Sequence, residues 1–75
     1  MSNHKQVAWK CRRGMLELDI VLNRFFEQQY DQLPFDQQQG FIRLLDQPDP
    51  ILAKWLFGID QPQDPEFIQL IALIK

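Results

Sequence analysis

Arg12-Arg13-Gly14-Met15-Leu16-Glu17-Leu18-Asp19, near the start of the chain, decides how the rest is read. Two cations precede a glycine, and two carboxylates spaced two apart follow it. Glycine lowers helix stability by roughly 1 kcal/mol relative to alanine, so Gly14 interrupts otherwise helical sequence. It also adopts φ > 0 without steric cost, which suits the turn just past a helix end. Arg12 and Arg13 are therefore expected in the last turn of one helix, and Glu17 and Asp19 in the first turn of the next. Both placements agree with the helix dipoles, cations at a C-terminus and anions at an N-terminus. Four charges around one glycine more often mark a capped helix corner than a functional site.

Working outward, the first helix is expected over about Lys5 to Arg13, with Val7, Ala8, Trp9 and Cys11 on its apolar side and Trp9 packed inward. After Gly14, Leu18, Val21, Leu22 and Phe25 fall at i, i+3, i+4 and i+7, one face of a helix running from about Leu16 to Tyr30. Ile20, Phe26 and Tyr30 widen that stripe, so this helix is expected to be the central packing element. Glu17 falls near the margin of the buried face. Leu33-Pro34 ends the helix, because proline cannot continue it and restricts the residue before it.

Three shorter helices follow. Asp36 starts the third, which carries Phe41, Leu44 and Leu45 and ends near Asp46. Asp49-Pro50 reads as a start signal, aspartate at the N-cap and proline at the first helical position. Leu52, Trp55 and Leu56 then form a stripe that Gly58 stops. Asp64-Pro65-Glu66 repeats the signal for the last helix, with Phe67, Ile68, Ile71 and Ile74 as its apolar face. The expected fold is all-α, a single domain over residues 1–75 built as a bundle of about five helices. Trp9, Leu18, Leu22, Phe25, Phe41, Leu45, Leu52, Trp55, Ile68 and Ile71 are expected in its core.

Composition bounds the function. Seventy-five residues allow one domain, and a hydrophobic fraction of 45% with six Phe and two Trp supports a compact core. No apolar run approaches the roughly 18 residues needed to span a bilayer, so no membrane insertion is expected. A lone cysteine fits a reducing compartment, and a cytoplasmic location is inferred. The first fourteen residues hold Lys5, Lys10, Arg12 and Arg13 and no acid, whereas the body is acidic. Such a basic first helix could mark a nucleic-acid or acidic-partner surface, or its cations could face the body's own carboxylates. Four charges are too few to claim nucleic acid, and the overall pI near 5.1 speaks against it.

Enzyme signatures are missing: no phosphate-binding glycine loop, no zinc-ligand spacing, no Ser/His/Asp set. His4 and Cys11, seven residues apart, would lie roughly 10 Å apart by helix rise, beyond hydrogen-bond reach. His4 is expected in a frayed terminus without a second ligand. Cys11 reads as a small buried hydrophobe. Glu17 and Asp19 point to different sides of a helix and make a poor acid–base pair. A chain this short has little volume for a cofactor-sized cavity, about 300–1,000 Å³. A binding protein, not an enzyme, is the better reading.

Arg13-Gly14-Met15-Leu16-Glu17 fits an RGxxE pattern and resembles the succinate dehydrogenase FAD assembly factor family. Trp9 and Cys11-Arg12 before it, and Leu18-Asp19 and Phe25-Phe26 after it, extend the likeness. So do Phe41-Ile42-Arg43-Leu44-Leu45 and the segment from Asp49-Pro50 through Trp55-Leu56. A bare RGxxE arises by chance; with these flanks, over nearly the whole chain, it is specific. The resemblance implies a chaperone that binds the flavoprotein subunit of succinate dehydrogenase, and in bacteria also that of fumarate reductase. It would promote covalent attachment of FAD to a histidine of that subunit, by chemistry belonging to the subunit. FAD would then be the partner's cofactor, and none is expected to bind this chain stably. Arg13, Gly14 and Glu17 would centre the contact surface, with Arg12 and Asp19 in support. Some bacterial relatives are also described as antitoxins. Relatives often continue with a polar tail past the position of Lys75, and any contact made by such a tail would be absent here.

Overall fold

A computed structural model describes residues 4–75. Five α-helices follow one another: α1 (His4–Lys10), α2 (Leu16–Gln29), α3 (Phe35–Leu44), α4 (Asp49–Leu56) and α5 (Pro65–Ile74). A short 3-10 turn, Tyr30–Gln32, closes α2. No strand occurs among the described residues. The all-α expectation therefore holds, with helix limits within a few residues of those read from the sequence.

α2 packs on α4 and α5, and α5 also packs on α3, so α2 and α5 share the centre. Leu18 and Leu22 of α2, Phe41 and Leu44 of α3, Leu52 of α4 and Leu70 of α5 are sealed from solvent. Phe41 lies between Phe25 (5.2 Å between ring centres) and Tyr30 (5.7 Å), tying α3 to both ends of the second half of α2. At Gly40 the crossing of α3 and α5 is close enough that a Cβ there would stand 2.7 Å from Cδ of Glu66 and push its carboxylate aside. That approach brings Glu66 into an ion pair with Arg43.

The helix signals divide. Asp64 caps α5 as expected, its carboxylate accepting from Glu66 N–H at 2.9 Å with Pro65 at the first position. Gly58 stops α4 at φ 78°. The N–H of Ile59 reaches back to Lys54 C=O at 2.9 Å, which satisfies an orphan carbonyl at the helix end. Asp49 does not cap α4. Pro48 holds that position, its carbonyl accepting from Ile51 and Leu52, and Asp49 is the first helical residue. Asp36 likewise sits inside α3, which begins at Phe35.

Other expectations are corrected. α1 stops at Lys10, so Arg12 and Arg13 lie beyond it in the connecting loop and not in its last turn. Gly14 does not take positive φ; Gly58 alone does among the described residues. Trp9 is 74% exposed, and Ile68 39%. Ile20 and Glu17 also face solvent, while Trp55 is half-buried against Phe67. The inward face of α1 is Val7, with Cys11 just beyond its end. On α5 the buried set is Phe67, Leu70, Ile71 and Ile74, a strict i, i+3, i+4, i+7 stripe that excludes Ile68. His4 is the first residue of α1, its ring 4.6 Å from Phe26 and its Nε2 3.3 Å from Asp31.

Candidate functional site

The loop between α1 and α2 is held from both sides. On the α2 side, Asp19 Oδ1 accepts from the Arg13 backbone N–H at 2.9 Å. Asn23, one turn further on, donates from Nδ2 to Cys11 C=O at 3.1 Å and to Asp19 C=O at 2.7 Å. Two of these bonds, to the Arg13 N–H and the Cys11 C=O, satisfy loop groups that no helix serves. The sequence reading passed over Asn23, although an asparagine inside a helix often signals a side chain bonded to nearby backbone.

On the other side, the Arg13 guanidinium turns inward. Its Nε donates to Asp49 Oδ1 at 2.7 Å, one Nη to Lys10 and Leu45 carbonyls (2.9 Å each), and the other to Gln47 C=O at 2.8 Å. Four of the five N–H donors of an arginine are thus satisfied within the chain. The side chain is only 12% exposed. One residue fastens the end of α1, the end of α3 and the start of α4 to a single point.

The rest of the motif faces outward. Gly14 is exposed, and the nearest atom to a Cβ built on it is Asp49 Oδ2 at 3.9 Å. Glu17 is exposed and makes no hydrogen bond or ion pair with the described residues. Arg12 is exposed, 3.9 Å from Asp19 Oδ1 and with its guanidinium carbon 5.9 Å from the Trp9 ring centre, within cation–π range. Leu16 and Ile20, one turn apart on α2, add apolar surface beside Glu17. Of the five residues singled out in the sequence, Arg12, Gly14 and Glu17 are presented outward. Arg13 and Asp19 build the loop that presents them.

Since Gly14 has neither positive φ nor a crowded neighbourhood, Gly14→Ala should leave the melting temperature unchanged or raise it by about 0.4–1 kcal/mol equivalent, through a less flexible unfolded chain. A thermal melt checks this. Beneath the loop, Cys11 is fully buried, and burial pushes its thiol pKa up to about 12; Arg13 opposes the rise and Asp19 adds to it. A raised acid pKa in the fold means its contribution to stability is complete below about pH 9 and is lost as pH climbs towards 12. Alkaline titration should therefore show stability falling from about pH 9, with a shallower fall in Cys11→Ala. The native thiol should also resist alkylation until the chain unfolds.

Several grooves open to solvent elsewhere among the described residues, of which two matter for a ligand reading. One of about 550 Å³ is lined by Trp55, Ile59, Pro62, Ile68 and Ile71, and one of about 290 Å³ by Val21, Arg24, Leu56 and Phe57. The first is larger than the chain length led us to expect, within the range of ligand pockets. Neither contains a residue of the RGxxE motif. No cluster of three or more His, Cys, Asp or Glu among the described residues is placed to hold a metal.

Comparison with known proteins identifies the family. The family model described as "Flavinator of succinate dehydrogenase" matches residues 5–75. The chain belongs to that family. It is 49% identical over 71 residues to the FAD assembly factor SdhE of Coxiella burnetii, covering 95% of this chain and 87% of the relative. It is 47% identical to the SdhE of Yersinia pseudotuberculosis over its whole length, 85% of that protein. Both relatives carry the name FAD assembly factor.

Proposed function

We propose that this chain is an FAD assembly factor that binds the flavoprotein subunit of succinate dehydrogenase and promotes covalent attachment of FAD to it. Family membership supplies the partner, and one observation points to where it docks. Glu17, the acid of the motif, stands exposed and without a partner among the described residues, beside an open Gly14, on a loop fixed from two sides. A fixed loop loses little conformational entropy on binding. Gly14 lets a partner backbone come close, and Glu17 offers an acceptor to a partner donor. Arg12 with Trp9, Leu16 and Ile20 extend the surface. The bond-forming chemistry lies with the flavoprotein, and FAD is the partner's cofactor. The fumarate reductase flavoprotein is a second client, and the cytoplasm is the compartment where either would be met. No helix among the described residues is long and apolar enough to cross a membrane.

The nucleic-acid reading loses its surface. Of the four cations before Met15, Arg13 is consumed internally and Lys10 donates to Asp46 at 3.0 Å, which leaves Lys5 and Arg12 exposed, too few for a nucleic-acid surface. Co-expression of the chain with a succinate dehydrogenase flavoprotein subunit, in a host lacking its own factor, tests the proposal. Covalent flavin on the denatured subunit, read by fluorescence, should rise well above the level without the chain. Equal fluorescence with and without it would refute the reading. Gly14→Ala, folded as above, should lower attachment.

A further inference from the structure

We propose that Asp49, outside the RGxxE motif and on a different helix, is a positioning residue for it: Asp49 fixes Arg13 and so sets the loop that presents Gly14 and Glu17. The inference rests on the docking site proposed above and adds a residue to it.

Asp49 has the sequence setting of a helix cap, yet its carboxylate does not cap α4, because Pro48 occupies that position. It is spent instead on Arg13, across 36 positions of sequence, at 2.7 Å. The other acceptors of the Arg13 fork are backbone carbonyls of Lys10, Leu45 and Gln47. Asp49 is therefore the one ionised acceptor that the fork engages, and its bond alone adds attraction between opposite charges to a hydrogen bond that the cationic donor already strengthens. Once Nε is fixed, the planar fork has its remaining donors set in direction. The second oxygen, Oδ2, borders Gly14, so the carboxylate that anchors Arg13 also flanks the open side of the glycine.

The loop has a second anchor, the bonds from Asp19 and Asn23 to Arg13 N–H and Cys11 C=O. Removing Asp49 leaves that anchor intact and frees only the side towards α4. The guanidinium can then swing towards solvent, because Asp49 is itself partly exposed. Loosening, not unfolding, is the expected outcome. A looser loop has to be ordered when the partner binds, and affinity falls accordingly.

The test uses Asp49→Ala and Asp49→Asn in the full chain, at a temperature where melting curves show both fully folded. Affinity for the isolated succinate dehydrogenase flavoprotein subunit should drop about tenfold in Asp49→Ala. Asp49→Asn, which keeps an acceptor for Nε, should recover part of that loss. Combination with Glu17→Gln gives a double-mutant cycle. The Glu17→Gln penalty should shrink in the Asp49→Ala background, because a misplaced carboxylate has less contact to lose. Arg13 Nε–H, visible by NMR, should exchange with water much faster in Asp49→Ala, a readout that needs no partner. Wild-type affinity in folded Asp49→Ala would overturn the inference while leaving the docking site standing. So would an undiminished Glu17→Gln penalty in that background, or an Nε–H exchange rate unchanged by the substitution. If Glu17→Gln itself binds as well as wild type, the docking site fails and the inference with it.

Discussion

Arg13→Ala is expected to destabilise the fold by about 3 kcal/mol, near the lower end of the 3–5 kcal/mol for removing one partner of a buried ion pair. The lower end applies because Asp49 keeps about a quarter of its side chain in water. Three carbonyls, from Lys10, Leu45 and Gln47, also lose their donor, and those without access to water pay a desolvation cost. For a domain this small, about 4–8 °C per kcal/mol translates this into a fall of roughly 12–24 °C in melting temperature. Lysine can reach Asp49 but cannot hold three carbonyls with one rigid fork, so Arg13→Lys should fall between wild type and alanine. Melting curves of the two variants decide the matter. A melt of Arg13→Ala within a degree or two of wild type would show that the inward clamp is energetically idle, and Arg13 would revert to a surface contact.

That inward turn could not be read from the local sequence. Beside Gly14, two arginines look alike, and the dipole argument placed both in the last turn of a helix. What separates them is the junction of α3 and α4, which offers Leu45 and Gln47 carbonyls and the Asp49 carboxylate more than thirty positions away. The same long-range contact defeats the Asp-Pro signal at Asp49, whereas Asp64 has no such competitor and caps its helix as the local rule requires. Helix existence was legible because proline, glycine and the apolar period act locally. Which residue of a short helix turns inward was not. Over the seven residues of α1, Trp9 and Val7 fit an inward face about equally well, and packing chose Val7. On α5, taking Ile68 in place of Leu70 displaced the predicted face. The two first-turn acids of α2 were not separable either: Glu17, expected near the margin of the buried face, is exposed, and Asp19 turns back onto the Arg13 N–H.

Glu17→Gln is the substitution that separates folding from docking most cleanly. Its side chain is exposed and bonds to none of the described residues, so losing its charge removes only a favourable interaction with the start of α2, worth about 1 kcal/mol or less. The melting curve should barely move. A charge-assisted contact with the flavoprotein would be worth about 1.5–3 kcal/mol, roughly 10- to 150-fold in affinity. Covalent flavin on the co-expressed subunit should therefore drop sharply at limiting factor and recover when the variant is overproduced, since affinity and not folding is what has been lost. Arg13→Lys should instead lower the melting temperature, and attachment should fall both with the unfolded fraction and, in the folded fraction, through the loosened loop. Full attachment by Glu17→Gln at limiting factor would remove Glu17 from the docking surface. Loss of attachment only in proportion to lost folding would make the whole RGxxE stretch a helix corner and nothing more.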